Sequence, residues 1–190
     1  MFQNHPDIKA CLSILENGGI ILYPTDTVWG IGCDATNAQA VSKIFILKKR
    51  IETKAMIVLL EDELALLNYV EDQTLQIFDY IKGIHKPTTV IYSQGKNLAN
   101  NLLGMDGSVA IRICKDPFCK TLIKQFGKPI VSTSANISGY PTPMLFNDIS
   151  LDILEGVDYV VKYKQEDDEI KQPSAIVKWD ENGNLQIIRA

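Results

Sequence analysis

The chain has 190 residues, of which 46% are apolar, and carries a formal charge of −4. That length suits one domain burying roughly 70% of its extended surface. The composition excludes a disordered chain, and the acidic balance argues against a dedicated nucleic-acid binder.

The apolar runs, such as Met56 to Leu60, are the length of strands and far short of a membrane span. Nothing basic precedes an apolar stretch at Met1 to Asp7, so no signal peptide is visible and a cytoplasmic protein is expected. Cys11, Cys33, Cys114 and Cys119 show no C-x-x-C spacing, and only His5 and His85 are available beside them. A zinc site is therefore not expected, and the cysteines read as reduced, buried thiols.

In chain order, Ile8, Cys11, Leu12 and Leu15 recur at helical spacing, which predicts an amphipathic helix over about 6–17, stopped by Gly18-Gly19. Ile20 to Tyr23 reads as a buried strand that Pro24 ends, because proline cannot donate to a sheet ladder. It opens into Pro24-Thr25-Asp26-Thr27-Val28-Trp29-Gly30-Ile31-Gly32-Cys33-Asp34, a stretch dense in hydroxyls with two glycines. Polar residues at the end of a buried strand usually face a binding crevice. Asn37 caps a second helix reaching Lys49, with Ala38, Val41, Ile44 and Phe45 inward, and Lys48 leaves it from that buried face. Lys43, Lys48, Lys49, Arg50 and Lys54 form a basic cluster suited to phosphate.

Met56 to Leu60 is a strand, and two short helices follow, one on Leu64, Leu67 and Val70, the other on Leu75, Phe78 and Ile81. Thr88 to Tyr92 is a strand, a helical turn lies near Asn97 to Leu103, and Val109 to Ile113 is a strand carrying Arg112. Asp116 caps a helix with Pro117 in its first turn, ending at Phe126-Gly127. Ile130 to Thr133 feeds a second hydroxyl loop, Ser134-Ala135-Asn136-Ile137-Ser138-Gly139, running through Pro141 and Pro143. A helix near Asn147 to Leu154 and a strand near Tyr159 to Tyr163 precede the acidic run Glu166 to Glu169. Ala175 to Trp179 and Leu185 to Arg189 form a hairpin turning at Asn182-Gly183. Strict alternation there places Leu185, Ile187 and Arg189 on one face; if the first two pack inward, Arg189 continues their line toward the sheet's edge. Helices and strands interleave without repeats, and the hairpin forces an antiparallel part. A single α/β domain over 1–190 with a twisted mixed sheet is predicted.

Taken together, P-T-D-T-x-x-G-x-G at Pro24 to Gly32, K-x-R at Lys48 and Arg50, A-x-R at Ala110 and Arg112, S-T-S-A-N-x-S-G at Ser132 to Gly139, and P-S at Pro173-Ser174 resemble the YrdC-like threonylcarbamoyl-AMP synthase family in its short form. The resemblance implies a twisted mixed-sheet domain with a concave, positive face. It implies a reaction of L-threonine, bicarbonate and ATP, with Mg²⁺ assisting, giving threonylcarbamoyl-AMP and pyrophosphate for threonylcarbamoyl modification of tRNA by downstream proteins. It places Thr25, Arg112, Ser132 and Ser174 at the amino acid and Lys48, Arg50, Ser134, Asn136, Thr142 and Arg189 at the nucleotide. Lys48, Arg50, Ser134 and Asn136 are implied in catalysis, with no metal ligand among the residues. Arg112 suits a carboxylate held bidentately. No nucleophile stands out, which fits catalysis by positioning and charge stabilisation.

The chain departs from the family pattern in reading Lys48-Lys49-Arg50-Ile51 for K-G-R-P, Ile84 to Thr89 for W-P-G-P-x-T, and Pro173-Ser174-Ala175 for P-S-T. Two other readings use the same residues. One is a tRNA- or double-stranded-RNA-binding module without chemistry, and the other is an enzyme with a different acyl or carbamoyl acceptor.

Overall fold

The computed structural model describes residues 2–50, 56–71, 75–179 and 184–190. Lys54, Ile51, the turn at Asn182-Gly183 and the side chains of Leu75 and Phe78 lie outside the described residues. Helix α1 (Pro6–Glu16) is capped by His5, whose ring accepts from the Asp7 amide at 3.2 Å. Strand β1 (Ile21–Tyr23) turns through the hydroxyl stretch into β2 (Gly30–Gly32).

Strand β2 is not predicted from its residues, because glycine is a poor strand former. Both of its glycines are required by close approach. A Cβ on Gly32 would lie 2.6 Å from both the Val131 carbonyl and the Tyr23 ring, and one on Gly30 would lie 2.9 Å from Ser132 Oγ.

Helix α2 (Ala38–Leu47) starts at Asn37, whose side chain accepts from Gln39 and Ala40. It ends in a Schellman turn: the Lys49 amide donates to Ile46 O and the Arg50 amide to Phe45 O, with Lys49 left-handed at φ 49°. The turn therefore keeps the geometry a glycine would favour although lysine stands there. β3 (Ile57–Leu60) leads to a 3₁₀ segment at Leu64–Asn68, where an α-helix is expected from the spacing, and then to α3 (Leu75–Gly83), β4 (Thr88–Tyr92) and β5 (Val109–Ile113). α4 (Pro117–Phe126) is capped by Asp116, whose carboxylate accepts from Phe118 at 2.9 Å and Cys119 at 3.0 Å, and Gly127 closes it at φ 70°. β6 (Ile130–Ser134) precedes α5 (Leu151–Gly156), which is shorter than predicted because a 3₁₀ turn at Phe146–Asp148 comes first. β7 is only Tyr159–Val160, and β8 (Ala175–Trp179) pairs with β9 (Leu185–Arg189).

The strands form one sheet in the order β7-β1-β2-β6-β3-β5-β4-β8-β9. The β3–β5, β4–β8 and β1–β7 pairs are parallel and the others antiparallel, so the sheet is mixed. Helix α1 packs on α4 and on β1, and α4 also packs on β3, which covers part of the sheet.

Register decides what the other face carries, since residues opposite one another share a face. Gly30 pairs with Ser134, Ser132 with Ile57, Ile57 with Ala110, and Ala110 with Ile91. Thr89 pairs with Ile176, and Ile176 with Arg189. The pairing of Ile187 with Val177 and of Arg189 with Ile176 leaves Ile188 as an extra residue, a β-bulge. The bulge sends Arg189 to the face opposite Ile187. The expected common face for Leu185, Ile187 and Arg189 is thus corrected, and so is their packing: Ile187 is 67% exposed and Leu185 39%.

Candidate active site

The face built by this register borders a cavity of about 300 Å³. Of the ten candidate residues, Arg50, Arg112, Ser132, Ser134, Thr142, Ser174 and Arg189 line it. Thr142 also lines an adjoining cavity of about 550 Å³ with Asn136, Lys49, Tyr140, Pro141 and Asp148. Thr25 and Lys48 lie behind these walls, and both are buried.

Arg112 follows Ala110 by two on β5, so the two share the cavity face. It is almost wholly buried, and its Nη2 lies 3.0 Å from Asp26 Oδ1. The contact is close in charge but not aligned as a hydrogen bond. Among the described residues Arg112 Nε and Nη2 and Asp26 Oδ1 have no hydrogen-bond partner. Asp26 is held from its other oxygen, which accepts from the Lys115 amide at 3.2 Å.

The turn carrying Asp26 is organised by Thr25. Its hydroxyl donates to Val28 O at 2.8 Å, accepts from the Thr27 amide at 3.0 Å, and lies 3.0 Å from the Thr27 hydroxyl. Thr25 therefore shapes the loop, while Thr27, Val28 and Trp29 reach the cavity wall. The Cys119 thiol donates to Pro24 O at 3.1 Å, tying the same loop to α4.

Lys48 caps the C-terminal end of α2, and its ammonium turns inward rather than toward the cavity. It donates to the carbonyls of Ser134 and Asn136, while its own carbonyl accepts from the Ser138 amide at 2.8 Å. One residue thus clamps the second hydroxyl loop at three points. Burial, and secondarily the Arg50 cation, pull the Lys48 pKa down to about 7. Asn136 in turn donates from Nδ2 to Ile137 O at 3.1 Å and Tyr140 O at 2.7 Å, leaving its buried Oδ1 without a partner among the described residues. Burial also lowers the Arg50 pKa.

Opposite, Arg189 donates from Nε to Ser174 O at 2.9 Å and from Nη2 to Ser174 Oγ at 3.4 Å. The Ser174 hydroxyl lies 2.8 Å from Thr89 Oγ1. Arg189 and Arg112 line the same cavity, and partial desolvation, then the Arg112 cation, lower the Arg189 pKa. Asp26 and Thr89 complete the site, and sequence reading assigned neither. Asp26 was visible inside a hydroxyl motif, but its partner lies 86 positions along the chain. Thr89 carried only the signal of standing in a partly matched proline-threonine loop.

The cysteines are buried and free. Burial raises the Cys11 pKa to about 12 and pushes those of Cys33 and Cys119 well up. Cys33, although inside the motif, is a core residue.

One mixed α/β sheet with a cavity on one face, where two further arginines and several hydroxyls surround a buried arginine–carboxylate pair, is the class of molecule these residues build. A family model described as "Telomere recombination" (Sua5, YciO, YrdC) matches residues 13–190. The chain belongs to the Sua5/YciO/YrdC family. It is 34% identical over 157 residues to a threonylcarbamoyl-AMP synthase of Pseudoalteromonas translucida, covering 81% of this chain and 84% of that protein. It is 37% identical over 141 residues to a threonylcarbamoyl-AMP synthase of Photobacterium profundum, covering 71% of this chain and 75% of that protein. P. abyssi Sua5 complexed with L-threonine shares the fold with a TM-score of 0.84 at 22% identity, covering 96% of this chain. The present chain spans 53% of that longer one.

Proposed function

We propose that this protein is a threonylcarbamoyl-AMP synthase. It would join L-threonine, bicarbonate and ATP into threonylcarbamoyl-AMP, releasing pyrophosphate and water. The observation that carries the reading is the cavity itself. The Arg112 guanidinium, incompletely hydrogen-bonded among the described residues, with Ser132 and Ser174 on the same cavity wall, suits a small amino acid's carboxylate and polar groups. Arg50, Arg189 and Ser134 on the same wall suit a polyphosphate. Thr142 and Asn136, at the mouth of the adjoining cavity, give the nucleoside a direction to extend.

The chemistry follows from that arrangement. The threonine amine attacks bicarbonate and water leaves, giving a carbamate. A carbamate oxygen then attacks the α-phosphorus, and the bond to pyrophosphate breaks. The protein's part is alignment and neutralisation of charge. Arg112 holds the carboxylate, the hydroxyls of Ser132 and Ser174 orient the amine end, and Arg50 and Arg189 offset phosphate charge. Lys48 acts through the loop whose carbonyls it binds. Mg²⁺, when bound, would supply further charge neutralisation on the phosphates, and the Ser134 and Thr142 hydroxyls that line this cavity are the protein oxygens that would help to hold it.

We place residues 1–190 as one such domain, acting in the cytoplasm and supplying downstream tRNA-modification proteins, with direct tRNA contact an added role. No helix among the described residues is long and apolar enough to cross a membrane. The test is pyrophosphate release with each amino acid, with and without bicarbonate. Release should need L-threonine and bicarbonate together, and serine should be poorer, since a lost methyl costs only about 1–3 kcal/mol. Release that ignores bicarbonate would sink the carbamate route. Tight duplex-RNA binding with no turnover would replace the enzyme by an RNA-binding module.

A further inference from the structure

Arg112 is a buried cation, and its guanidinium can serve a substrate carboxylate only if something fixes its plane and offsets its charge while leaving donors open. Asp26 meets each of these requirements. Its Oδ1 is 3.0 Å from Nη2, and its Oδ2 is anchored by the Lys115 amide, so the carboxylate cannot swing freely. The loop bearing it is pinned by the Thr25 hydroxyl within and by the Cys119 thiol from α4. The ion pair is offset rather than two-pronged: it engages Arg112 at Nη2 alone, and the buried Nε has no hydrogen-bond partner among the described residues. A fully paired arginine would have no donor left for a ligand. Arg189 lines the same cavity and adds like charge that a lone Arg112 would have to withstand.

We infer that Asp26 is the positioning residue of the amino-acid subsite, holding Arg112 by one offset ion contact at Nη2 so that the guanidinium is turned to the cavity it lines, where the carboxylate of the incoming amino acid would sit. The inference rests on the reading of Arg112 as the carboxylate's partner, and the experiment separates the two. Binding of L-threonine, L-threoninamide and ATP is measured by calorimetry on the wild-type protein and on Asp26→Asn, Arg112→Met and the double variant.

Asp26→Asn should weaken L-threonine binding about 10-fold to 100-fold, the scale expected when a binding group is misplaced by a fraction of an ångström to one ångström. ATP binding should stay within about twofold, and the preference for threonine over its amide should shrink, which simple loosening of the fold would not cause. In the Arg112→Met background, Asp26→Asn should add little, because a residue acting through another loses its effect when that other is gone. If Arg112→Met leaves threonine binding intact, the reading of the subsite itself fails. If Arg112→Met abolishes it while Asp26→Asn does not, or if the two effects add, Asp26 has no positioning role. Should Asp26→Asn not fold, Asp26→Glu carries the test, since it keeps the charge and moves it by one methylene. The same threonine-specific loss is expected, and wild-type binding by that variant would overturn the inference.

Discussion

At the scale of single residues, two neighbouring lysines do different work. Lys48 is buried and loses the charged form more readily than an ordinary lysine, its pKa falling from 10.5 to about 7. Below about pH 7 it is protonated in both the folded and the unfolded chain. Between about 7 and 10.5 the unfolded chain holds a proton that the folded one gives up, so its contribution to stability rises with pH across that window and is lost as pH falls through it. The slope is at most about 1.4 kcal/mol per pH unit. Denaturant melts from pH 7.5 to 9.5 should show this rise in the wild type and a flatter profile in Lys48→Met. The same variant should bind ATP less well, since it frees the loop of Ser134 and Asn136, while threonine binding changes less. Lys49, exposed and left-handed at φ 49°, occupies a position where a Cβ costs about 1–2 kcal/mol. Part of that is offset by the greater freedom glycine loses on folding. Lys49→Gly should therefore raise stability by about 0.5–1 kcal/mol, read as a higher Tm.

At the scale of elements, the terminal hairpin shows how one extra residue redirects a side chain. Without the bulge at Ile188, Arg189 would fall opposite Ala175, on the face shared by Val177 and Ile187. With it, Arg189 stands opposite Ile176 and reaches Ser174. Arg189→Ala should weaken ATP binding by about 1–3 kcal/mol, the scale of a charged hydrogen bond. Its Tm should move little, because β9 is exposed along its length. Unchanged ATP affinity in calorimetry would remove Arg189 from the site. The glycine strand β2 is the complementary case. Its brevity and composition hide it from any periodicity argument, yet it bridges β1 and β6 and so brings the two hydroxyl loops together.

At the scale of the whole molecule, all four cysteines are sealed in the core. Thiol titration of the native protein should find none that reacts quickly, and unfolding in guanidinium should release four. Burial holds the thiols of Cys11, Cys33 and Cys119 away from the reactive thiolate. ATP with L-threonine should slow labelling further, since ligands that bind only the folded state suppress its opening. Fast labelling of even one thiol in the native state would contradict the packing described.

Much of this protein was determined by local sequence. Asn37 and Asp116 cap their helices through contacts two and three residues away, Gly127 ends one, and Ile20 to Tyr23 and Ile130 to Thr133 read as buried strands entering polar loops. The order of those loops and cations carried the resemblance to the family, and seven of the ten candidates line one cavity. What only the tertiary structure decided lies in relations across long separations. The Asp26–Arg112 pair, the Thr89–Ser174–Arg189 chain and the inward turn of Lys48 depend on the order and register of the sheet. Side-chain alternation states which residues share a face but not which partner lies opposite, and a single bulge reverses it. The physical reason is that caps and hydrophobic periodicity are settled within a few residues. The orientation of a buried charge is settled by whatever distant group the fold brings against it.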